Sequence, residues 1–156
     1  MQHTQNTILL VEDNPDDEAL ALRAFRNIED VGEVVVVRDG VEALDYLFGT
    51  GSFDGRDTNE QPRLILLDMK LPKLNGLDVL RKVRQDNRTR FHPVVLMTSS
   101  RQESDIVAGY SLGANSYIQK PVNFDEFSEA MRNLANYWMR VNRTPNLAIP
   151  AYGGSA

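Results

Sequence analysis

Four short apolar runs constrain this chain more than any other feature: Ile8-Leu9-Leu10-Val11, Val34-Val35-Val36-Val37, Leu64-Ile65-Leu66-Leu67 and Val94-Val95-Leu96-Met97. A strand with one wet face alternates apolar and polar residues. An unbroken run fits a strand covered on both faces, as in a parallel sheet. Ser116-Tyr117-Ile118 is a weaker fifth strand. Helical segments are expected between the runs. The first has Asn14 as N-cap, Pro15 at its first position, and Asp16, Asp17 and Glu18 near the positive end of its dipole, with Arg23 and Arg26 toward the other end. The second is expected from about Val41 to Phe48, and the third after Asn75 with Leu77, Leu80 and Val83 on one face. The fourth runs from about Gln102 to Tyr110, stopping near Gly113. The fifth starts at Asn123 and carries Phe124, Phe127, Met131, Leu134, Trp138 and Val141 three and four residues apart.

Five strands alternating with five helices predict an α/β fold, a doubly wound five-stranded parallel sheet of order 2-1-3-4-5 with helices on both faces. Residues 1–143 form the expected domain. Residues 144–156 form a Pro- and Gly-containing tail with Leu147, Ile149 and Tyr152 as its apolar residues, and residues 49–61 a long Gly- and Asp-rich connection.

Composition removes several classes of function. The chain has no cysteine, which excludes disulfides, thiol catalysis and zinc–thiolate sites. His3 and His92 are far apart and give little support to a histidine metal site. A net charge of -5 disfavours a DNA or RNA groove. No apolar run approaches a membrane span, and residues 1–7 lack the order of a secretory signal, so a cytoplasmic location is expected.

In such a sheet ligands bind beyond the carboxyl ends of the strands, near the switch point between strands 1 and 3. Strand 1 ends in Glu12-Asp13, strand 3 in Asp68, strand 4 in Thr98-Ser99, and strand 5 in Gln119-Lys120 before Pro121. Three converging carboxylates repel one another unless a hard cation joins them. Mg²⁺ suits such a site because it takes oxygen ligands and keeps waters and a phosphate oxygen in its shell. Asp13 and Asp68 are the candidate direct ligands, with Glu12 direct or through water, and the main-chain carbonyl of Lys70 could add an oxygen. Lys120 and the Thr98 hydroxyl could then contact phosphate oxygens. This is equipment for phosphoryl transfer to a carboxylate, with Asp68 as the central nucleophile.

At these residues the chain resembles the receiver domains of two-component response regulators, which have the flavodoxin-like receiver fold. The matching pieces are residues 8–14, Leu67-Asp68-Met69-Lys70-Leu71-Pro72, Asn75-Gly76, Met97-Thr98-Ser99 and Tyr117-Ile118-Gln119-Lys120-Pro121. The resemblance spans roughly residues 6 to 141. It implies a signalling protein rather than a conventional enzyme: Asp68 accepts a phosphoryl group from the phosphohistidine of a sensor histidine kinase and promotes its own turnover with Mg²⁺. It further implies that Glu12 and Asp13 form the acidic metal pocket, that Thr98 and Lys120 contact the acyl phosphate, that Tyr117 is the aromatic switch, and that the Lys120–Pro121 bond is cis. The Asn-Pro-Asp-Asp start of the first helix, the loop at 49–62 and Tyr137-Trp138 are similar to regulators paired with bacterial and cyanobacterial phytochromes. Glu12 stands where an Asp is commoner.

Taken singly, these residues have ordinary readings: Asp68 as a cap, Thr98 as a strand-end hydroxyl, Lys120 as a solvated lysine, Tyr117 as packing. A haloacid-dehalogenase-like phosphatase would carry an Asp two residues after its nucleophile, where this chain has Lys70. A flavodoxin-like binding module needs an anion loop after strand 1, and the acidic residues there would repel phosphate. No effector module is expected after the fifth helix, so output should come from the receiver surface. Leu134, Trp138 and Val141 run past the expected sheet edge. With the tail, they predict a homodimer.

Overall fold

The apolar runs form one parallel sheet in a computed structural model that describes residues 6–120 and 123–145. The strands are β1 (Thr7–Val11), β2 (Glu33–Val37), β3 (Leu64–Asp68), β4 (Val94–Thr98) and β5 (Ser116–Gln119), in the order β2-β1-β3-β4-β5. Every neighbouring pair is parallel. The helices between and after them are α1 (Pro15–Arg26), α2 (Gly40–Phe48), α3 (Gly76–Gln85), α4 (Glu103–Ser111) and α5 (Phe124–Asn136). Both the fold class and the strand order agree with the expectation.

Burial explains the unbroken runs. Every residue of β1, β3 and β4 is buried, whereas β2 and β5 lie at the edges and are partly exposed. Successive strand residues point to opposite faces. Ile8, Leu10, Leu64, Leu66, Val95 and Met97 pack with Phe25, Phe127 and Met131 from α1 and α5. Leu9, Val11, Ile65, Leu67, Val94 and Leu96 pack with Ala43, Leu47, Val79, Leu80 and Val83 from α2 and α3. All of these helices but α4 start at side-chain caps: Asn14 accepts from the Asp16 and Asp17 amides, Asp39 from Glu42, Asn75 from Asp78 and Asn123 from Glu126.

The connection after α2 is built around Arg56. Its guanidinium lies 3.9 Å from the Tyr46 ring centroid and donates to the Tyr46 and Glu60 carbonyls, both at 2.6 Å. At the far end of the sheet from the expected site, burial pushes the His92 imidazole down to about 4, assisted by the charges of Arg84 and Arg56.

One expectation needs correction. Leu134 and Trp138 are not surplus surface; they are buried at 7% and 9% exposure in the core shared by α1, α5 and the sheet. The apolar stripe holds, and α1 with Ile28 and Val31 extends the core that receives it; α5 itself stops at Asn136 and continues as a π turn, Tyr137–Val141. That wider turn is closed by the Asn142 amide on the Tyr137 carbonyl at 2.8 Å. Val141 does stay exposed. Leu147, Ile149, Tyr152 and the Lys120–Pro121 bond lie outside the described residues.

Candidate functional site

Strand register brings the expected residues together. Val11 pairs with Leu67, Asp68 with Met97, and Thr98 with Gln119, so Glu12, Asp68, Thr98 and Lys120 all reach the same end of the sheet. The Lys120 amide donates to the Thr98 carbonyl at 2.7 Å, which carries the strand pairing one residue further.

The carboxylates converge. One oxygen from each of Glu12, Asp13 and Asp68 lies within 4.8 Å of the others. Glu12 and Asp68 are buried, while Asp13 is exposed and has no hydrogen-bond or ion-pair partner among the described residues. The Glu12 Oε2 accepts from the Asn14 amide at 3.2 Å, and the Asp68 Oδ1 from the Lys70 amide at 3.1 Å. A buried pair plus an unpartnered third carboxylate fits a hard divalent cation, because oxygen donors are concentrated there with too little positive charge to balance them.

Lys120 is the local cation. Its ammonium donates to Glu12 Oε1 at 3.0 Å, Asp68 Oδ2 at 3.2 Å and Asp17 Oδ2 at 2.7 Å. Burial would lower the Lys120 pKa, but the hydrogen bond to Asp17 and the charges of Asp68 and Glu12 outweigh it and raise the pKa. Glu12 moves the other way from an ordinary carboxylate. Burial first, then its hydrogen bond to Asp68 and the Asp68 charge, push it up to about 7 against the pull of Lys120.

Thr98 is buried beside this cluster, and its Oγ1 accepts from the Ser100 amide at 3.2 Å. Tyr117 sits on β5 with its hydroxyl donating to the Ser100 carbonyl at 3.3 Å. The Ser100 hydroxyl in turn donates to Asp105 Oδ2 on α4 at 2.6 Å. Thr98, Tyr117 and α4 therefore meet at one loop. Beside them a Cβ on Gly109 would come 3.5 Å from the Tyr117 ring and 2.6 Å from Leu96 Cδ1.

Two features were missed in the sequence. In the sequence Asp17 is accounted for as a helix-dipole partner, although the third helical position after a strand-end cap also faces the strand ends. The Ser100–Asp105 contact had a clue in a hydroxyl followed five residues later by an acid at a helix start.

The sequence of residues 8–132 matches the model of the response regulator receiver domain. The chain belongs to that family. This receiver domain is 39% identical over 141 residues to "Probable methanogenesis regulatory protein FilR2" of Methanothrix harundinacea, covering 90% of this chain and 88% of FilR2. Among solved structures it resembles the Mn²⁺-bound form of response regulator Rcp1, with a TM-score of 0.81, 32% identity, and 89% and 98% of the two chains covered. Rcp1 is a protein of Synechocystis sp.. It also resembles the phosphorylated cyanobacterial phytochrome response regulator RcpA, with a TM-score of 0.82, 37% identity, and coverage of 89% and 97%. The receiver domain is thus a phosphoacceptor signalling protein of a two-component system rather than a member of a conventional enzyme family. No helix among the described residues is long and apolar enough to cross a membrane.

Proposed function

We propose that Asp68 receives the phosphoryl group from a sensor histidine kinase in the cytoplasm, and that Mg²⁺ is the metal of the site. The observation that carries this reading is the contact of Lys120 with Asp68 and Glu12, beside the unpartnered carboxylate of Asp13. Glu12, Asp13, Asp68 and the Lys70 main-chain carbonyl would hold the metal. When bound, Mg²⁺ supplies charge neutralisation for the carboxylates and the phosphoryl oxygens.

The chain's own groups do the rest. A carboxylate oxygen of Asp68 attacks phosphorus as the P–N bond to the kinase imidazole breaks, and the electron pair leaves on that nitrogen. Lys120 supplies a hydrogen-bonded positive charge to a phosphoryl oxygen, and the Thr98 hydroxyl donates to another. Thr98 drawn toward the phosphoryl group leaves room for Tyr117 to turn inward, releasing its bond to Ser100 and with it the loop tied to α4. Acetyl phosphate with Mg²⁺ should add one acid-labile phosphoryl group to the chain, and excess chelator should prevent it. Equal labelling with and without chelator would reject the metal assignment. The likeness to RcpA supports a phytochrome as the kinase, so we infer light-dependent input.

Self-association through the end of α5 and the tail remains part of the proposal on narrower grounds. Tyr137 and Val141 are exposed there, beside a groove of about 390 Å³ between β5 and α5. Deleting residues 144–156 should shift the protein from dimer to monomer in light scattering. A monomeric full chain at high micromolar concentration, with or without phosphodonor, would dismiss the dimer.

A further inference from the structure

We propose that Asp17 is a positioning residue that restrains Lys120 and thereby slows phosphorylation of the receiver. The inference rests on Asp68 being the acceptor. An ammonium group has three N–H donors, and Lys120 faces three carboxylates: Asp17 at 2.7 Å, Glu12 at 3.0 Å and Asp68 at 3.2 Å. Its donors are all in use. To contact a phosphoryl oxygen, Lys120 must release or share one of these partners.

The three partners are not equivalent. Glu12 and Asp68 belong to the cluster able to hold a cation, so bound metal offsets their charge. Asp17 lies outside that cluster. It makes the shortest contact and has the most exposed of the three carboxylates, at 30% against 2% and 8%. Its negative charge therefore stays facing the incoming phosphodonor, while its hydrogen bond holds Lys120 toward α1. Both effects oppose addition of a phosphoryl group.

Local structure fixes Asp17 in that position. Asn14 caps α1 and accepts from the Asp17 amide at 3.0 Å, which sets the third helical residue above the strand ends. Only the side chain reaches Lys120, so Asp17→Asn removes the charge without disturbing the cap.

The test compares wild type, Asp17→Asn and Asp17→Glu. With acetyl phosphate at saturating Mg²⁺, Asp17→Asn should label about threefold faster or more, because a like charge near the transferred group is gone. Asp17→Glu, which keeps the charge, should stay near wild type. In metal-free protein without phosphodonor, ¹⁵N NMR of the Lys120 amine should show hydrogen exchange about fivefold faster in Asp17→Asn, from loss of one charge-assisted bond. A merely structural role at the helix start would leave both readouts unmoved. Unchanged or slower labelling of Asp17→Asn overturns the proposal, as does faster labelling with unchanged amine exchange. Wild type that takes no label would instead reject the acceptor reading, and amine exchange would still report on the Asp17 contact.

Discussion

As pH rises from about 5 to 8, metal-free receiver should lose at most about 3 kcal/mol of stability relative to its Glu12→Gln variant, and Mg²⁺ should restore it at pH 8. The cause is Glu12. Burial and the neighbouring Asp68 carboxylate raise it from the ordinary 4.5 to about 7 in the folded protein. The folded state therefore holds a proton that the unfolded chain has released between those pH values. The Glu12 contribution is greatest below pH 4.5 and is lost as pH rises through about 7. His92 acts with the opposite sign. Its imidazole is pushed down to about 4, so its contribution is lost as pH falls below the ordinary 6.5. The two offset each other in wild type between about pH 4.5 and 6.5, and urea denaturation separates them, since Glu12→Gln should show the His92 loss at acid pH alone. If wild type and Glu12→Gln differ by the same amount at pH 5 and pH 8, Glu12 is not the group responsible.

Gly76→Ala should destabilise the fold by roughly 3 kcal/mol and depress Asp68 phosphorylation with it. At most helix starts this exchange helps, because Ala costs the unfolded chain some of its freedom. Here a Cβ would fall on the Asp68 carbonyl oxygen and 2.7 Å from the Met69 Cα. Both neighbours are backbone and cannot rotate away. Gly76 also donates its amide to the Met69 carbonyl at 2.8 Å, closing the turn that returns the chain from β3 to α3. Relief of the clash would shift the Asp68 backbone itself. Thermal melting and a labelling rate on the same preparation check both effects; a variant as stable as wild type would show that the turn can open without cost.

The sheet was legible because β1, β3 and β4 are central strands, where sandwiching by helices demands continuous apolar runs. Asp68, Thr98 and Lys120 were legible as strand-end residues because parallel register carries strand ends to one edge. Position along the chain sufficed for them. Asp17 was not legible in the same way, since an acid in the first turn of a helix already has a sufficient explanation in the dipole. Trp138 misled for a different reason. Its burial comes from a core that α1, Ile28 and Val31 extend beside α5, and spacing along one helix does not show what a second helix covers. The contact of Tyr117 with Ser100 was hidden too, because a backbone carbonyl acceptor in a loop leaves no mark in the residue types.

Asp68 is the proposed carrier of the phosphoryl group. The direct measurement is intact-mass and peptide mass spectrometry after reaction with acetyl phosphate and Mg²⁺, followed by borohydride trapping of the acyl phosphate. Wild type should gain one acid-labile phosphoryl group, mapped to the peptide containing Asp68 at the end of β3. Asp68→Asn should gain none under the same conditions. A stoichiometric label on Asp68→Asn, or a wild-type label trapped at Glu12 or Asp13, would contradict the account.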